Sequence, residues 1–175
     1  MALHPFNGMS PAIDATAWVA PGAQVIGDVQ IGAQSSIWYN VVVRGDVMPI
    51  RIGARSNIQD GSIVHVTRQF AATSIGDDVL VGHMAIVHGC TLMDRSFVGL
   101  GATVMDGCVV EPEGMLGAGA LLAPGRRVGA RELWLGRPAK FVRLLSDEEV
   151  ARNLAGAAGY VVLAGMHRES LGSAT

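Results

Sequence analysis

The chain repeats an aliphatic residue every six positions. From Ile13, steps of six land on Val19, Val25, Ile31, Ile37 and Val43. After a slip the phase resumes as Ile52, Ile58 and Val64, then as Ile75, Val81 and Val87. A last run passes through Leu92, Val98, Val104, Val110, Leu116, Leu122 and Val128. Position four after the aliphatic is usually small, as at Ala17, Ser35, Ser56, Ser62, Ala85, Ala102 and Cys108. Glycine often follows it directly, as at Gly32, Gly53, Gly76, Gly82, Gly99 and Gly117. This period predicts an all-β fold, a parallel β-helix of hexapeptide repeats. Three hexapeptides make one triangular coil, with the aliphatic and the small residue inside. Successive coils hydrogen-bond about 4.8 Å apart.

Composition agrees with a narrow solenoid. Of 175 residues 23 are glycine, only 5% are aromatic, and Lys140 is the sole lysine. An apolar share of 50% excludes disorder. A net charge of -2 gives no footprint for nucleic acid. No apolar run approaches the roughly 20 residues of a membrane span, and no secretory leader is visible. The two cysteines, Cys90 and Cys108, make no disulfide framework, so a reducing cytoplasmic setting is expected. Only 16% of residues are charged, which points to surface buried against a partner.

The expected organisation is a lead-in over 1–12, the β-helix over 13–133, a connector over 134–145 and a helix over 146–170. Ser146 and Glu149 form a capping box at the helix start. Val150, Leu154, Ala157, Val161 and Ala164 give the helix an apolar face. That face fits packing along the solenoid or onto a neighbour.

The slips and the histidines coincide. Three extra residues lie between Val43 and Ile52, and an excursion, VTRQFAATS, lies between Val64 and Ile75. Insertions in a solenoid tend to fall on one functional face. His65 follows Val64 and His88 follows Val87, so they stack one rung apart on the third side. His83 is second after Val81, on the second side. Five extended residues, about 16 Å of chain and a corner, separate it from His88. His83 therefore cannot share an ion with His65 and His88 within one chain, given zinc–nitrogen distances of about 2.0–2.1 Å. Three solenoids around a threefold axis remove the difficulty if the second side of one subunit faces the third side of the next. Arg44 falls in the His65/His88 column and Asp60 in the His83 column, placed to pair across that interface. Asp46 and Gln59 are placed to hold a metal-bound water. Three neutral imidazoles with an open fourth position are the ligand set of a catalytic zinc. His4 and His167 carry no pattern.

These residues resemble the γ-class carbonic anhydrase family. The resemblance rests on Arg44-Gly45-Asp46, Asn57-Ile58-Gln59-Asp60, Val64-His65, Val81-Gly82-His83 and Val87-His88-Gly89-Cys90, with Gly136-Arg137-Pro138-Ala139-Lys140 leading to the terminal helix. It implies a left-handed β-helix and a homotrimer. It implies zinc, with ferrous iron or cobalt as alternatives, held by His65 and His88 of one subunit and His83 of the next. It implies that metal-bound hydroxide hydrates CO2 to bicarbonate, with Gln59 orienting the water and Arg44 and Asp60 joined across the interface. Tyr160 matches a helix tyrosine near the site, and Asn57 a position that supports the interface. Two departures stand out. Val47 occupies the place of an acidic residue in the best-characterised active branch, and the excursion holds no glutamate. Both are that branch's proton-shuttle positions, so the chain is similar to a shorter, shuttle-less branch. The alternative expectation is acyl-thioester chemistry, as an acyl-CoA thioesterase or hexapeptide acyltransferase, with Arg126, Arg127 and Lys140 near a CoA phosphate. A third is a trimeric scaffold tied by metal.

Overall fold

A computed structural model describes residues 2–172. The three aliphatic columns become three ladders of parallel strands. On the first side Ile13, Ile31, Ile52, Ile75, Leu92, Val110 and Val128 are successive register neighbours. On the second side the order is Val19, Ile37, Ile58, Val81, Val98, Leu116 and Trp134. On the third it is Val25, Val43, Val64, Val87, Val104 and Leu122. All of these are buried except Ile13 and Trp134, which are partly covered. The result is a parallel β-solenoid whose core is one continuous aliphatic stack.

The small fourth position has a second use. Ser35, Ser56 and Ser62 are buried, and their hydroxyls donate to the Gly53, Gly76 and Gly82 carbonyls of the next coil. Each hydroxyl also accepts an amide, from Ser56, Val79 and Ala85 respectively. A buried hydroxyl satisfied on both counts carries no desolvation penalty.

The slips are absorbed without breaking the stack. A single strand, Val42–Ile52, pairs with Gln24–Ile31 across two sides. Gly27 faces Gly45 and Val29 faces Ile50, so residues 46–49 bulge outward opposite Asp28. The excursion after Val66 closes on itself through mutual backbone hydrogen bonds between Thr67 and Ala71.

Both ends are more ordered than the sequence suggested. Ala2–His4, in the expected lead-in, pairs with the first coil, and Leu3 sits beside Val25. The expected connector is an antiparallel hairpin of Glu132–Gly136 and Ala139–Leu144, turning at a cis Arg137–Pro138 bond. Its first strand pairs with Met115–Leu116, so the period carries one element further than Val128.

The helix spans Asp147–Gly172. The Ser146 amide donates to the Glu149 carboxylate, and the Glu149 amide donates to the Ser146 hydroxyl, 3.3 Å away. Val150, Ala157 and Ala164 are its buried face. Val150 packs with Leu133 and Leu145. Tyr160 stacks edge-on against Trp38, and His167 Nδ1 lies 2.9 Å from the Tyr39 hydroxyl. Of the two placements expected, the helix takes the solenoid of its own chain. It covers the outward residues Trp18, Ser36, Asn57 and Leu80, all buried. The second side is therefore not free to face a neighbour, as the spacing argument had it. What remains free is the corner after it, where Asp60, His83 and Leu100 follow one another up the stack.

Candidate metal centre

His65 and His88 project outward beside the inward Val64 and Val87 and are register neighbours. Their ring centroids are 5.1 Å apart. His65 Nδ1 lies 3.1 Å from His88 Nε2. The other nitrogen of each ring meets a carboxylate. Asp46 Oδ1 is 3.0 Å from His65 Nε2, and Asp106 Oδ1 is 2.8 Å from His88 Nδ1. Four consecutive coils thus supply a line of Asp46, His65, His88 and Asp106.

That line has a proton-counting consequence. A carboxylate only accepts, and a neutral imidazole has a single N–H. A neutral ring that donates to its aspartate has no proton left for the other ring. The two inner nitrogens then present lone pairs to each other across 3.1 Å. In that tautomer a cation between the two nitrogens would satisfy both lone pairs. Nitrogens bound to one ion at about 2.0–2.1 Å with tetrahedral angles stand about 3.3 Å apart, so the donor set fits a metal.

Arg44, one rung before His65, forms an ion pair with Asp46. Burial works against the Asp46 charge. Hydrogen bonds from His65 and Arg44, with the Arg44 charge, outweigh it and hold the carboxyl below the usual range. Within the chain Arg44 thus meets Asp46 rather than Asp60. Asp60 instead meets His83, whose Nδ1 is 2.8 Å from Asp60 Oδ2. Both sit at the free corner with about two-fifths of their side chains exposed. Among the described residues, no three His, Cys, Asp or Glu side chains of one chain are disposed to hold an ion. His83 stands apart from the other two histidines, as its spacing required.

Gln59 is buried, and its Nε2 donates to Asn57 Oδ1 at 3.0 Å. The Asn57 Nδ2 is a buried donor with no partner in the chain. Tyr160 reaches the same region from the helix. Burial first, and the Asp60 charge second, raise its hydroxyl pKa. Cys90 and Cys108 are buried and unpaired, and burial pushes both thiols up.

Two features escaped the sequence reading. Asp106 is one, although its place two after Val104, one coil beyond His88, was readable from the period. The second is a cavity of about 240 Å³ beside Asp46, lined by Phe6, Met9, Asp28, Val47, Met48 and Pro49 among others. A larger cavity of about 510 Å³, between the first coil and the end of the helix, contains none of the site residues.

No family model matches the chain. It is 50% identical over 163 residues to the mitochondrial γ carbonic anhydrase 2 of Arabidopsis thaliana, a match covering 90% of this chain and 59% of that protein. The chain thus spans about three-fifths of the length of the first plant relatives it matches. It is 42% identical over 145 residues to a probable carbonic anhydrase of Methanocaldococcus jannaschii, covering 83% of this chain and 91% of that one. A solved hexapeptide transferase family protein from Anaplasma phagocytophilum superposes with a TM-score of 0.90 at 47% identity, over 93% of this chain and 96% of that chain.

Proposed function

Because the chain belongs to the γ carbonic anhydrase family, we propose that it reversibly hydrates CO2 to bicarbonate at a metal centre shared between subunits of a homotrimer. The observation that carries this reading is the stacked pair of His65 and His88, with inner nitrogens 3.1 Å apart and an aspartate against each outer nitrogen. His83 from a neighbouring subunit would supply the third nitrogen. A divalent ion such as zinc or ferrous iron, once bound, activates water at neutral pH. The remaining work belongs to the chain. Asp46 holds the His65 ring, and Asp60 holds His83. Gln59 orients the water, with Asn57 behind it. Asp60 has lone pairs to spare for a neighbour's Arg44, and the Arg44 guanidinium has donors to spare beyond Asp46.

Exposed apolar side chains support the assembly. Ile63 and Ile86 flank the two histidines on the third side, while Met84 and Leu100 flank His83 at the corner. Apolar surface around a polar centre marks an interface. No helix among the described residues is long and apolar enough to cross a membrane. A reducing compartment, the bacterial or archaeal cytosol, suits the two buried thiols.

Stopped-flow CO2 hydration tests the reading. Zinc- or iron-loaded protein should turn over with saturation, and His83→Ala and a chelated sample should not. Val47 and the excursion over 66–74 offer no carboxylate to carry the proton out. The turnover number should therefore rise with buffer concentration. Absence of turnover in metal-loaded protein would remove this reaction.

One observation favours a second reading. The cavity beside Asp46 has Phe6, Met9, Val47, Met48 and Pro49 on its apolar wall, which suits an acyl chain, and Asn7, Asp28 and Asp46 as its polar part. A thioester carbonyl is open to the same water chemistry. Metal-dependent hydrolysis of acyl-CoA without CO2 hydration would establish it.

A further inference from the structure

We infer that Asp106 is a positioning residue for His88, and that Thr67 locks it in place. This rests on the metal reading above. The Asp106 carboxylate lies one coil beyond His88, 2.8 Å from its Nδ1. The Thr67 hydroxyl, from the excursion, lies 3.0 Å from both Asp106 oxygens. Gly89 opens the space this requires. A Cβ there would stand 2.1 Å from Asp106 Oδ1, and its φ of +55° is already left-handed.

Comparison with similar aspartates separates this from a routine corner. Asp77 and Asp94 also lie two residues after a core aliphatic, over Gly53 and Gly76. They accept backbone amides, from Ala54 and Asp77. Asp106 also lies over a glycine, Gly89, yet its oxygens meet the His88 ring and the Thr67 hydroxyl. An aspartate over glycine serves these corners by accepting an amide; that task does not require aim at an imidazole.

The effect follows from the single proton on a neutral ring. With Asp106 present, the His88 proton sits on Nδ1 and Nε2 is a lone pair. Without it, the proton can move to Nε2 and bond to His65 Nδ1, 3.1 Å away. The two rings then satisfy each other, and the ligand atoms are blocked. Asp106 thus prevents the histidine pair from closing on itself, and the excursion, through Thr67, holds Asp106 to that task. Partners of this kind typically alter metal affinity by roughly 10–100-fold.

Two readouts beyond activity test this. Long-range 1H–15N NMR of the metal-free protein should find the His88 proton on Nδ1 in the wild type and on Nε2 in Asp106→Ala. Chelator competition with Co2+ should find affinity lowered roughly 10–100-fold in Asp106→Ala. Asp106→Asn, which keeps an acceptor, should recover part of the loss. The visible Co2+ spectrum should shift in the alanine variant. Thr67→Val leaves the carboxylate in place and should lower affinity several-fold, which keeps the test open if Asp106→Ala folds poorly. Unchanged tautomer and affinity in Asp106→Ala, with affinity lost in His88→Ala, would overturn the role of Asp106 alone. A wild type that takes up no metal would overturn the centre itself, and this role with it.

Discussion

At the scale of single residues, the site is a matter of which atom faces which. His65, His83 and His88 each meet one aspartate, and the aspartates come from three coils. The histidines were legible because each sits at a fixed offset from a core aliphatic, and offsets survive in sequence. Asp60 was placed by the same offset, but within the chain it meets His83 rather than Arg44, and Asp46, expected beside a metal-bound water, meets His65 and Arg44. Asp106 occupies an equally regular place, but an aspartate over a glycine is also what an ordinary corner uses, so its position alone does not mark it. Only its distances to His88 and Thr67 separate the two roles. Gly89 is the residue most sensitive to this packing. Gly89→Ala should lose about 1–3 kcal/mol of stability from its left-handed backbone alone, and more if Asp106 is displaced. Chemical denaturation measures it, and a variant as stable as the wild type would show that the corner yields freely.

At the scale of elements, the period and the caps decide what was readable. Six-residue spacing specifies strands, sides and register together, so Ile58 against Val81 and Val64 against Val87 follow from counting. The hairpin around Pro138 leaves the period and reverses direction, so counting misses its second strand. The helix was readable from its cap but not its docking, because a stripe of Val150, Ala157 and Ala164 fits any apolar surface. The cap itself makes a pH prediction. The Arg143 guanidinium hydrogen-bonds Glu149 and, with the Ser146 amide, holds its carboxyl at about 2. A carboxyl depressed on folding stabilises above its unfolded value of about 4.5. That contribution is lost as pH falls through about 2. Thermal unfolding of Glu149→Gln should therefore differ from wild type at pH 6 and converge with it towards pH 2. Ser146→Ala should cost about 0.5–2 kcal/mol at neutral pH. Parallel pH profiles of the wild type and Glu149→Gln would deny the cap its electrostatic part.

At the scale of the whole molecule, assembly and stability come from different surfaces. The second side is spent on the chain's own helix, so the third side and the corner with His83 are left for a neighbour. Ile86→Glu places a charge beside His88 at that surface. Sedimentation should find monomer, and metal uptake should fall together with the oligomer. A trimer that survives the charge would put the interface elsewhere. The helix also matters to the solenoid it lies on. Repeat arrays usually behave as chains of nearest neighbours, in which end units open independently. Here Val150 is packed on Leu133 and Leu145 at one end of the stack, while the Arg168 guanidinium donates to the Thr16 and Ala17 carbonyls at the other. First and last coils are clasped by one rigid rod. Each end must give up its own contacts with the helix to fray, so the coils of this array, including the four rungs carrying Asp46, His65, His88 and Asp106, should open more nearly together than nearest-neighbour coupling alone provides.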